Sequence, residues 1–285
     1  MSLTVAIVAA GNMGAAIGAR LQAHGVQVLT SLEGRSPATA ERARAAGMQP
    51  VSEERLASAH LLLSIVPPGA ALDLARRLAP QLSRARPPAT FVDCNAISPR
   101  TAECLRAVIE GAGAACIDAG IIGPPPQPQG PQPVLYASGE QAQRLAELCR
   151  CGLDVRCLAA PFGAASALKM SYGGITKGLT AVGTAMLLAA EHAGVAATLL
   201  QELAAREPAL LACLKQSIPR MFPKAYRWVA EMRHIADFAR EDPATAALYE
   251  GAALLYERMA HDVEGEGHDV ALLTQRLGGK RDPQG

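Results

Sequence analysis

The sequence predicts an α/β domain with a doubly wound parallel sheet, followed by an all-α domain, the two joined by a long interdomain helix. From Thr4 to about Leu158, short apolar runs alternate with helical segments, which is typical of a parallel sheet wrapped by helices. From Gly163 onward the chain is rich in alanine and leucine at helical spacing. We therefore predict an α/β domain over residues 1–161 and a helical domain over residues 162–285.

Five apolar runs are predicted as strands: residues 4–9, 27–30, 61–66, 90–93 and 115–118. They are continuous rather than alternating, as expected where both faces of a sheet are covered. In the helical domain, residues 163–192 form one long helix. Helical spacing continues to Tyr256, with breaks only near Pro208, residues 219–223 and Pro243.

Composition narrows the possible functions. The 27 Lys and Arg residues nearly balance the 26 Asp and Glu residues, so no basic field for a nucleic acid partner is expected. The seven cysteines lack metal-like spacing and are predicted to be reduced, buried and inert. No metal-like spacing is present either among His192, His234, His261 and His268. No export signal is expected, and the longest apolar stretch, around residues 181–190, is shorter than a membrane span, so we expect a cytoplasmic protein.

The first strand is followed by a glycine turn of the dinucleotide-binding type. The turn reads Ala9-Ala10-Gly11-Asn12-Met13-Gly14, with alanine in place of the first glycine, and a helical pattern comes directly after it. Gly11 would allow the backbone to approach a pyrophosphate, and Gly14 would allow close packing of helix on strand. The first domain is therefore predicted to be a Rossmann domain with Gly11, Asn12, Met13 and Gly14 in the cofactor site; a plain tight turn is the alternative.

The end of the second strand favours NADP(H) over NAD(H). Ser31, Arg35 and Ser36 could surround a 2′-phosphate, because a guanidinium group gives charge-assisted donors to it. An ordinary surface arginine is the alternative. Glu33, a carboxylate suited to a ribose diol, would favour NAD(H).

Two further segments follow strands at the same predicted sheet edge and are expected to line the cofactor. Val66, Pro67 and Pro68 come after one strand, and Asn95 and Ser98 after the next. The prolines are equally compatible with simple strand termination, and Asn95 and Ser98 with helix caps.

With these motifs the chain resembles the β-hydroxyacid dehydrogenase superfamily over nearly its full length, and imine reductases are relatives of that superfamily. The resemblance is carried by the glycine turn, the Val66-Pro67-Pro68 loop, the Asp118-Ala119 strand end and Gly163 with Lys169 six residues later. The last third resembles a branch with a C-terminal domain like that of phosphogluconate dehydrogenase. The resemblance implies that Lys169 is the general acid and base, and desolvation at a domain crevice would lower its pKa.

At two places where the family binds its substrate, this sequence differs from the family pattern. The family's asparagine four residues after the lysine is replaced by Gly173, next to Tyr172. The family's serine and glycine loop for the substrate carboxylate reads instead Gly120-Ile121-Ile122-Gly123 followed by prolines. We expect a drier and stiffer substrate pocket, contacted by these residues: Ser98, Ile122, Gly123, Tyr172, Gly173, Tyr226 and Trp228. Tyr226 and Trp228 are equally compatible with the core of the helical domain. Lys177 is expected to face solvent, with a phosphate or a substrate carboxylate as the alternatives.

The leading hypothesis is an NADP(H)-dependent enzyme that interconverts a hydroxy acid or related secondary alcohol with its carbonyl compound. The alternatives are reduction of a C=N bond and an NADP(H) sensor without turnover. A homodimer is expected, because the helical stretches 163–192 and 199–214 are apolar on more faces than one small domain can cover.

Overall fold

The computed structural model describes residues 3–127 and 130–278. The chain forms two compact units, one that ends at Met170 and one that begins at Ser171. The division lies within the helix Ala164–His192, whereas the sequence-based boundary lies after Pro161, in the turn before that helix.

The first unit contains one eight-stranded sheet in the order β3-β2-β1-β4-β5-β6-β7-β8. All neighbouring strands are parallel except β6 and β7, which are antiparallel. The strands are β1 (Thr4–Val8), β2 (Gln27–Thr30), β3 (Gln49–Pro50), β4 (Leu61–Ser64), β5 (Thr90–Asp93), β6 (Cys116–Ile122), β7 (Val134–Ser138) and β8 (Asp154–Cys157). The five predicted strands are confirmed, and β3, β7 and β8 were not predicted.

Helices cover both faces of this sheet. They are α1 (Asn12–Ala23), α2 (Pro37–Ala45), α3 (Glu53–Leu56), α4 (Ala71–Arg84) and α5 (Pro99–Gly111), with 3₁₀ helices at Pro68–Ala70 and Ala142–Cys151. Along β1, Val5 and Ile7 belong to one core cluster and Ala6 and Val8 to the other. Because successive side chains of a strand point to opposite faces, two buried faces produce the continuous apolar runs seen in the sequence.

Six helices follow. They are α6 (Ala164–His192), α7 (Ala196–Arg206), α8 (Pro208–Met221), α9 (Ala225–Phe238), α10 (Pro243–Glu264) and α11 (His268–Arg276), with a 3₁₀ turn at Phe222–Lys224. Prolines begin α8 and α10, as the sequence predicts, but Pro219 lies inside α8. The break predicted near Pro208 is confirmed, because α7 and α8 meet at Glu207. One expectation was wrong, since a further break occurs at Gly194, which has a positive φ of 73°.

Two properties differ from the composition-based expectations. By length and composition, α6 could cross a membrane, although 44% of its apolar window is buried within the protein and a core helix meets the same criterion. All seven cysteines are free thiols, but only Cys94 and Cys116 are fully buried. The prediction of buried cysteines is wrong for Cys104, Cys149 and Cys213, which are exposed.

A buried carboxylate fixes the start of α6 on the sheet. Asp118, on β6, accepts hydrogen bonds from the Ser138 hydroxyl (2.7 Å), the Ser166 backbone N–H (3.0 Å) and the Ser166 hydroxyl. The Ser138 hydroxyl oxygen also accepts the Ala165 N–H at 3.0 Å. The first N–H groups of a helix have no partner within the helix, so these acceptors satisfy two of them and place negative charge at the positive end of the helix dipole.

Gly120, two residues after Asp118 on β6, lies close to the first turns of α6. A Cβ atom at Gly120 would lie 3.0 Å from the Ala165 carbonyl oxygen and 3.2 Å from Cβ of Lys169. The glycine therefore allows α6 to lie directly against β6, and this contact sets the position of Lys169.

Asp118→Ala should lower the free energy of unfolding by about 2–4 kcal/mol, because it leaves buried donors without an acceptor. Asp154→Ala, which removes an exposed ion pair with Arg156, is the control and should cost less than about 1 kcal/mol. Urea denaturation measures both. Equal losses for the two variants would contradict the role of Asp118.

Candidate active site

The carboxyl ends of β1, β4, β5 and β6 lie at one edge of the sheet, because these strands are parallel neighbours. The strand order also reverses there, since β2 and β3 lie on one side of β1 and the later strands on the other. Open α/β sheets bind ligands at such a reversal, beyond the carboxyl ends of the strands. The glycine turn, Val66, Asn95 and Ile122 all come to this edge.

The glycine turn has the geometry of a pyrophosphate site. Ala9 has a φ of 70°, so alanine adopts the left-handed conformation that a first glycine would favour. A Cβ at Gly14 would overlap the Ala9 carbonyl oxygen, whereas a Cβ at Gly11 would meet nothing within 4 Å. No side chain caps α1, and its first turn carries no acidic residue. Open space beside uncapped N–H groups fits a bound phosphate group.

The segment after β2 contains the three residues predicted for a 2′-phosphate. Ser31 is buried, and its hydroxyl accepts the Glu33 N–H at 3.4 Å. Ser36 caps α2 by accepting the Thr39 N–H, and Arg35 is exposed. The sequence did not single out Arg42, which donates from Nε to the Ala10 carbonyl oxygen at 3.1 Å. Its position on α2 gave no motif signal, so only the fold reveals that it reaches the glycine turn.

Asn95 joins the ends of β4 and β5. Its Oδ1 accepts the Val66 N–H at 2.7 Å, and its Nδ2 donates to the Ser64 hydroxyl at 2.8 Å and to Asp93. The helix-cap alternative is therefore wrong for Asn95, which holds the Val66-Pro67-Pro68 loop in place. Pro67 is exposed and Pro68 is buried.

Ser98 is the N-cap of α5. It is fully buried, and its hydroxyl accepts the Thr101 N–H at 3.2 Å. Of the two roles that the sequence allowed, this geometry matches the cap.

Asp93 is a buried carboxyl group beside Asn95. Burial and, to a smaller extent, the Asp118 carboxylate raise the pKa of Asp93 to about 8. Within the described residues, its Oδ2 has no hydrogen-bond partner. Asp93 therefore holds a proton at neutral pH, which keeps a second negative charge away from Asp118.

Lys169 lies at the carboxyl end of β6. Its Nζ donates to the Ile121 carbonyl oxygen, and burial lowers the pKa of its ammonium group to about 8. No carboxylate contributes to that shift, as expected from its apolar sequence neighbours. The group can therefore exchange a proton near neutral pH.

The residues that follow β6 form an apolar rim. Ile121 is buried and Ile122 is half-buried, and Gly123 has a φ of 120°, a conformation that favours glycine. Pro124 is exposed and the next two prolines are half-buried. This rim offers no charged side chain near Lys169.

The remaining predicted substrate residues belong to the second unit. Tyr172 and Tyr226 are exposed, whereas Gly173 is buried. Trp228 packs edge-on against Tyr256, with ring centroids 5.2 Å apart, so it contributes to packing inside this unit. Lys177 forms an ion pair with Glu231, and its Nζ lies 5.1 Å from the Trp228 ring centroid. The expectation that Lys177 faces solvent is wrong, because only 16% of its side chain is exposed.

Metal ligation finds no support in the part of the chain that the structure describes. No group of three or more His, Cys, Asp or Glu side chains is placed to hold an ion there.

Gly11→Ala and Gly14→Ala should have different effects. Gly11→Ala should change the free energy of unfolding by less than about 1 kcal/mol and weaken dinucleotide binding at least about tenfold, because its methyl group enters the open space at the helix terminus. Gly14→Ala should destabilise the protein by about 1–3 kcal/mol through overlap with Ala9. Thermal denaturation and NADPH fluorescence titration measure the two effects. Unchanged binding by Gly11→Ala would contradict the phosphate site.

Two family models match the chain. Residues 4–145 match the NAD binding domain of 6-phosphogluconate dehydrogenase, and residues 190–259 match a domain of unknown function, DUF1932. A search of curated protein sequences found no match.

Solved structures match almost the whole chain. MTH1747, a conserved protein of unknown function described as similar to 3-hydroxyacid dehydrogenases, is 32% identical, with 93% of this chain and 99% of that chain covered and a TM-score of 0.68. A Mycobacterium tuberculosis 3-hydroxyisobutyrate dehydrogenase is 20% identical (coverage 98% and 99%, TM-score 0.61). A Streptomyces aurantiacus imine reductase is 17% identical (coverage 97% and 100%, TM-score 0.55). The chain therefore belongs to the β-hydroxyacid dehydrogenase superfamily, with the NAD-binding domain of 6-phosphogluconate dehydrogenase and an all-helical C-terminal region.

Proposed function

We propose that this protein is an NADP(H)-dependent oxidoreductase in which Lys169 exchanges the proton that accompanies hydride transfer. The observation that carries the proposal is the position of Lys169. Its ammonium group lies at the sheet edge that also holds the glycine turn, and burial lowers its pKa to about 8. By strand spacing, β6 lies about 14 Å from β1, a distance that an extended dinucleotide can span.

The proposed chemistry divides between the cofactor and this lysine. The nicotinamide group supplies the hydride in reduction and accepts it in oxidation. In reduction, the Lys169 ammonium donates its proton to the carbonyl oxygen as the new C–H bond forms, and the neutral amine then takes a proton from solvent. In oxidation, the neutral amine removes the hydroxyl proton.

Arg35, Ser31 and Ser36 support NADP(H) as the cofactor. Arg35 is exposed beside the end of β2, and the Ser31 and Ser36 hydroxyls lie in the same segment. Glu33 is exposed as well and forms no ion pair among the described residues, so its side chain can turn away from a phosphate. Binding titrations with NADPH and NADH test this choice.

The leading substrate class is a hydroxy acid or related secondary alcohol and its carbonyl compound. Reduction of a C=N bond is the second candidate, favoured by the apolar Ile121-Ile122 rim and by Gly173 in place of a polar anchor. NADPH oxidation with panels of keto acids and cyclic imines, and NADP⁺ reduction with hydroxy acids, distinguish the two. Micromolar NADPH affinity without turnover on any panel would instead favour a sensor.

Lys169→Ala should reduce turnover on the active substrate by about 10²- to 10⁴-fold, the range for loss of general acid–base catalysis. NADPH affinity should change less than about threefold, because the lysine is not expected to contact the phosphates. Steady-state kinetics and fluorescence titration measure the two quantities.

Lys177→Ala is the matched control on the same helix. It should retain turnover within about tenfold, since its ammonium pairs with Glu231, although stability should fall by about 1 kcal/mol or more. Turnover by Lys169→Ala within threefold of the parent protein would contradict the mechanism and leave the fold assignment intact.

The pH dependence of turnover should follow the pKa of Lys169. Reduction requires the ammonium form, which predominates below pH 8, so its rate should fall about tenfold per pH unit above that value. Oxidation requires the amine form, so its rate should rise with pH up to about 8 and then level off. Rate profiles from pH 6 to 10 in both directions test this. The same inflection in Lys169→Ala would assign it to another group.

We also propose a homodimer formed through the helical unit. Apolar side chains of α6 and α10 remain exposed, among them Ile175 (73% exposed), Val182 (52%) and Leu248 (57%), and they line a groove of about 670 Å³. Light scattering should give about twice 29.6 kDa. Val182→Glu should reduce that mass, whereas Ala209→Glu on α8 should not. A mass near 30 kDa for the unmodified protein would exclude the dimer.

A further inference from the structure

We propose that Arg42 is the residue that fixes the adenosine 2′-phosphate, with the exposed Arg35 as a secondary contact. This inference rests on the proposed use of NADP(H). It assigns cofactor selection to a residue on α2 rather than to the loop at the end of β2.

Arg42 links the two segments between which an adenosine ribose lies in this type of sheet. Its Nε donates to the carbonyl oxygen of Ala10 in the glycine turn at 3.1 Å, and its Nη2 donates to the Thr39 hydroxyl at 2.9 Å. Thr39 in turn lies 3.1 Å from the hydroxyl of Ser36, the cap of α2. The guanidinium is therefore held between the turn that meets the pyrophosphate and the segment after β2 that meets the ribose.

The charge of Arg42 is not balanced by the protein. Both of its acceptors are neutral oxygens, and among the described residues no carboxylate pairs with it. The neighbouring Arg44 pairs with Glu41, and several other arginines of this unit, such as Arg76, Arg77, Arg106 and Arg156, also have acidic partners. The half-buried Arg20 resembles Arg42 in donating to a neutral carbonyl oxygen, that of Gly152, so it is the position of Arg42 between the glycine turn and the segment after β2 that sets it apart. A half-buried cation without a counterion favours an anionic ligand.

Arg42 also keeps donors for such a ligand. A guanidinium group has five N–H donors, and the two hydrogen bonds to protein leave three. A phosphate group is recognised well by adjacent N–H donors of this fork. Because its orientation is already fixed, Arg42 loses little side-chain entropy on binding, whereas the exposed Arg35 must be ordered. Arg42 should therefore contribute more to selection than Arg35.

The test is a set of binding titrations that do not depend on turnover. NADPH and NADH are followed by fluorescence, and 2′,5′-ADP and 5′-ADP by calorimetry, for the unmodified protein and for Arg42→Ala, Arg35→Ala and Arg44→Ala. Arg42→Ala should weaken NADPH and 2′,5′-ADP about 10- to 100-fold and change NADH and 5′-ADP less than threefold. Arg35→Ala should have a smaller effect, and Arg44→Ala, on the same helix, should match the unmodified protein. If Arg42→Ala melts markedly lower than the parent protein, Arg42→Met, which keeps the apolar stem, replaces it.

The outcomes separate this inference from the proposed function. If the unmodified protein prefers the 2′-phosphorylated ligands and Arg42→Ala keeps that preference, the inference is overturned and NADP(H) stands. If Arg42→Ala weakens all four ligands equally, Arg42 only supports the glycine turn, and the inference is again overturned. If the unmodified protein binds both ligands of each pair equally, the NADP(H) proposal itself fails.

Discussion

The buried carboxylate of Asp118 is the contact on which the geometry of the candidate site depends. It accepts three hydrogen bonds, two of which come from Ser166 in the first turn of α6, so the helix starts at a fixed point on β6. Gly120, two residues along the strand, lets the helix backbone lie against the sheet. With both constraints in place, Lys169 lies at the end of β6, where its ammonium group donates a hydrogen bond to the Ile121 carbonyl oxygen. The position of the lysine thus follows from a strand residue and a helix terminus, and not from a carboxylate partner.

The neighbouring carboxyl group, that of Asp93, has fewer hydrogen-bond donors than Asp118. Asp93 and Asp118 are paired across β5 and β6, and both are buried. Asp118 accepts three hydrogen bonds from side-chain and backbone donors, whereas Asp93 accepts hydrogen bonds only from Asn95 among the described residues, and burial raises the pKa of Asp93 to about 8. Asp93 therefore keeps its proton at neutral pH. Asn95 donates from Nδ2 to Asp93 while its Oδ1 accepts the Val66 N–H, so it links the ends of β4 and β5.

The sequence predicted the parts of this architecture that depend on local patterns. Apolar runs identified β1, β2, β4, β5 and β6, and a glycine turn between a strand and a helix predicted an NAD-binding domain even though alanine occupies its first position. Three strands escaped prediction for different reasons. β3 is two residues long, and β8, at the edge of the sheet, carries mostly polar residues. β7 lies between β6 and β8, but half-buried residues alternate with buried ones along most of its length, so it has no continuous apolar run. Arg42 and the Lys177–Glu231 pair could not be predicted, because each depends on contacts between residues distant in sequence.

Ala9 and Gly173 both depart from the family's residue pattern, and their structural settings differ. In the glycine turn, Ala9 stands in place of a glycine and still adopts the left-handed backbone conformation, at a local cost of about 1–2 kcal/mol. At Gly173, where the family has an asparagine, a Cβ would lie 3.7 Å from Cδ1 of Ile235 on α9, an ordinary van der Waals distance. A close contact therefore explains Gly14, where a Cβ would overlap a backbone carbonyl oxygen, and Gly120, where it would lie 3.0 Å from one, but it does not explain Gly173.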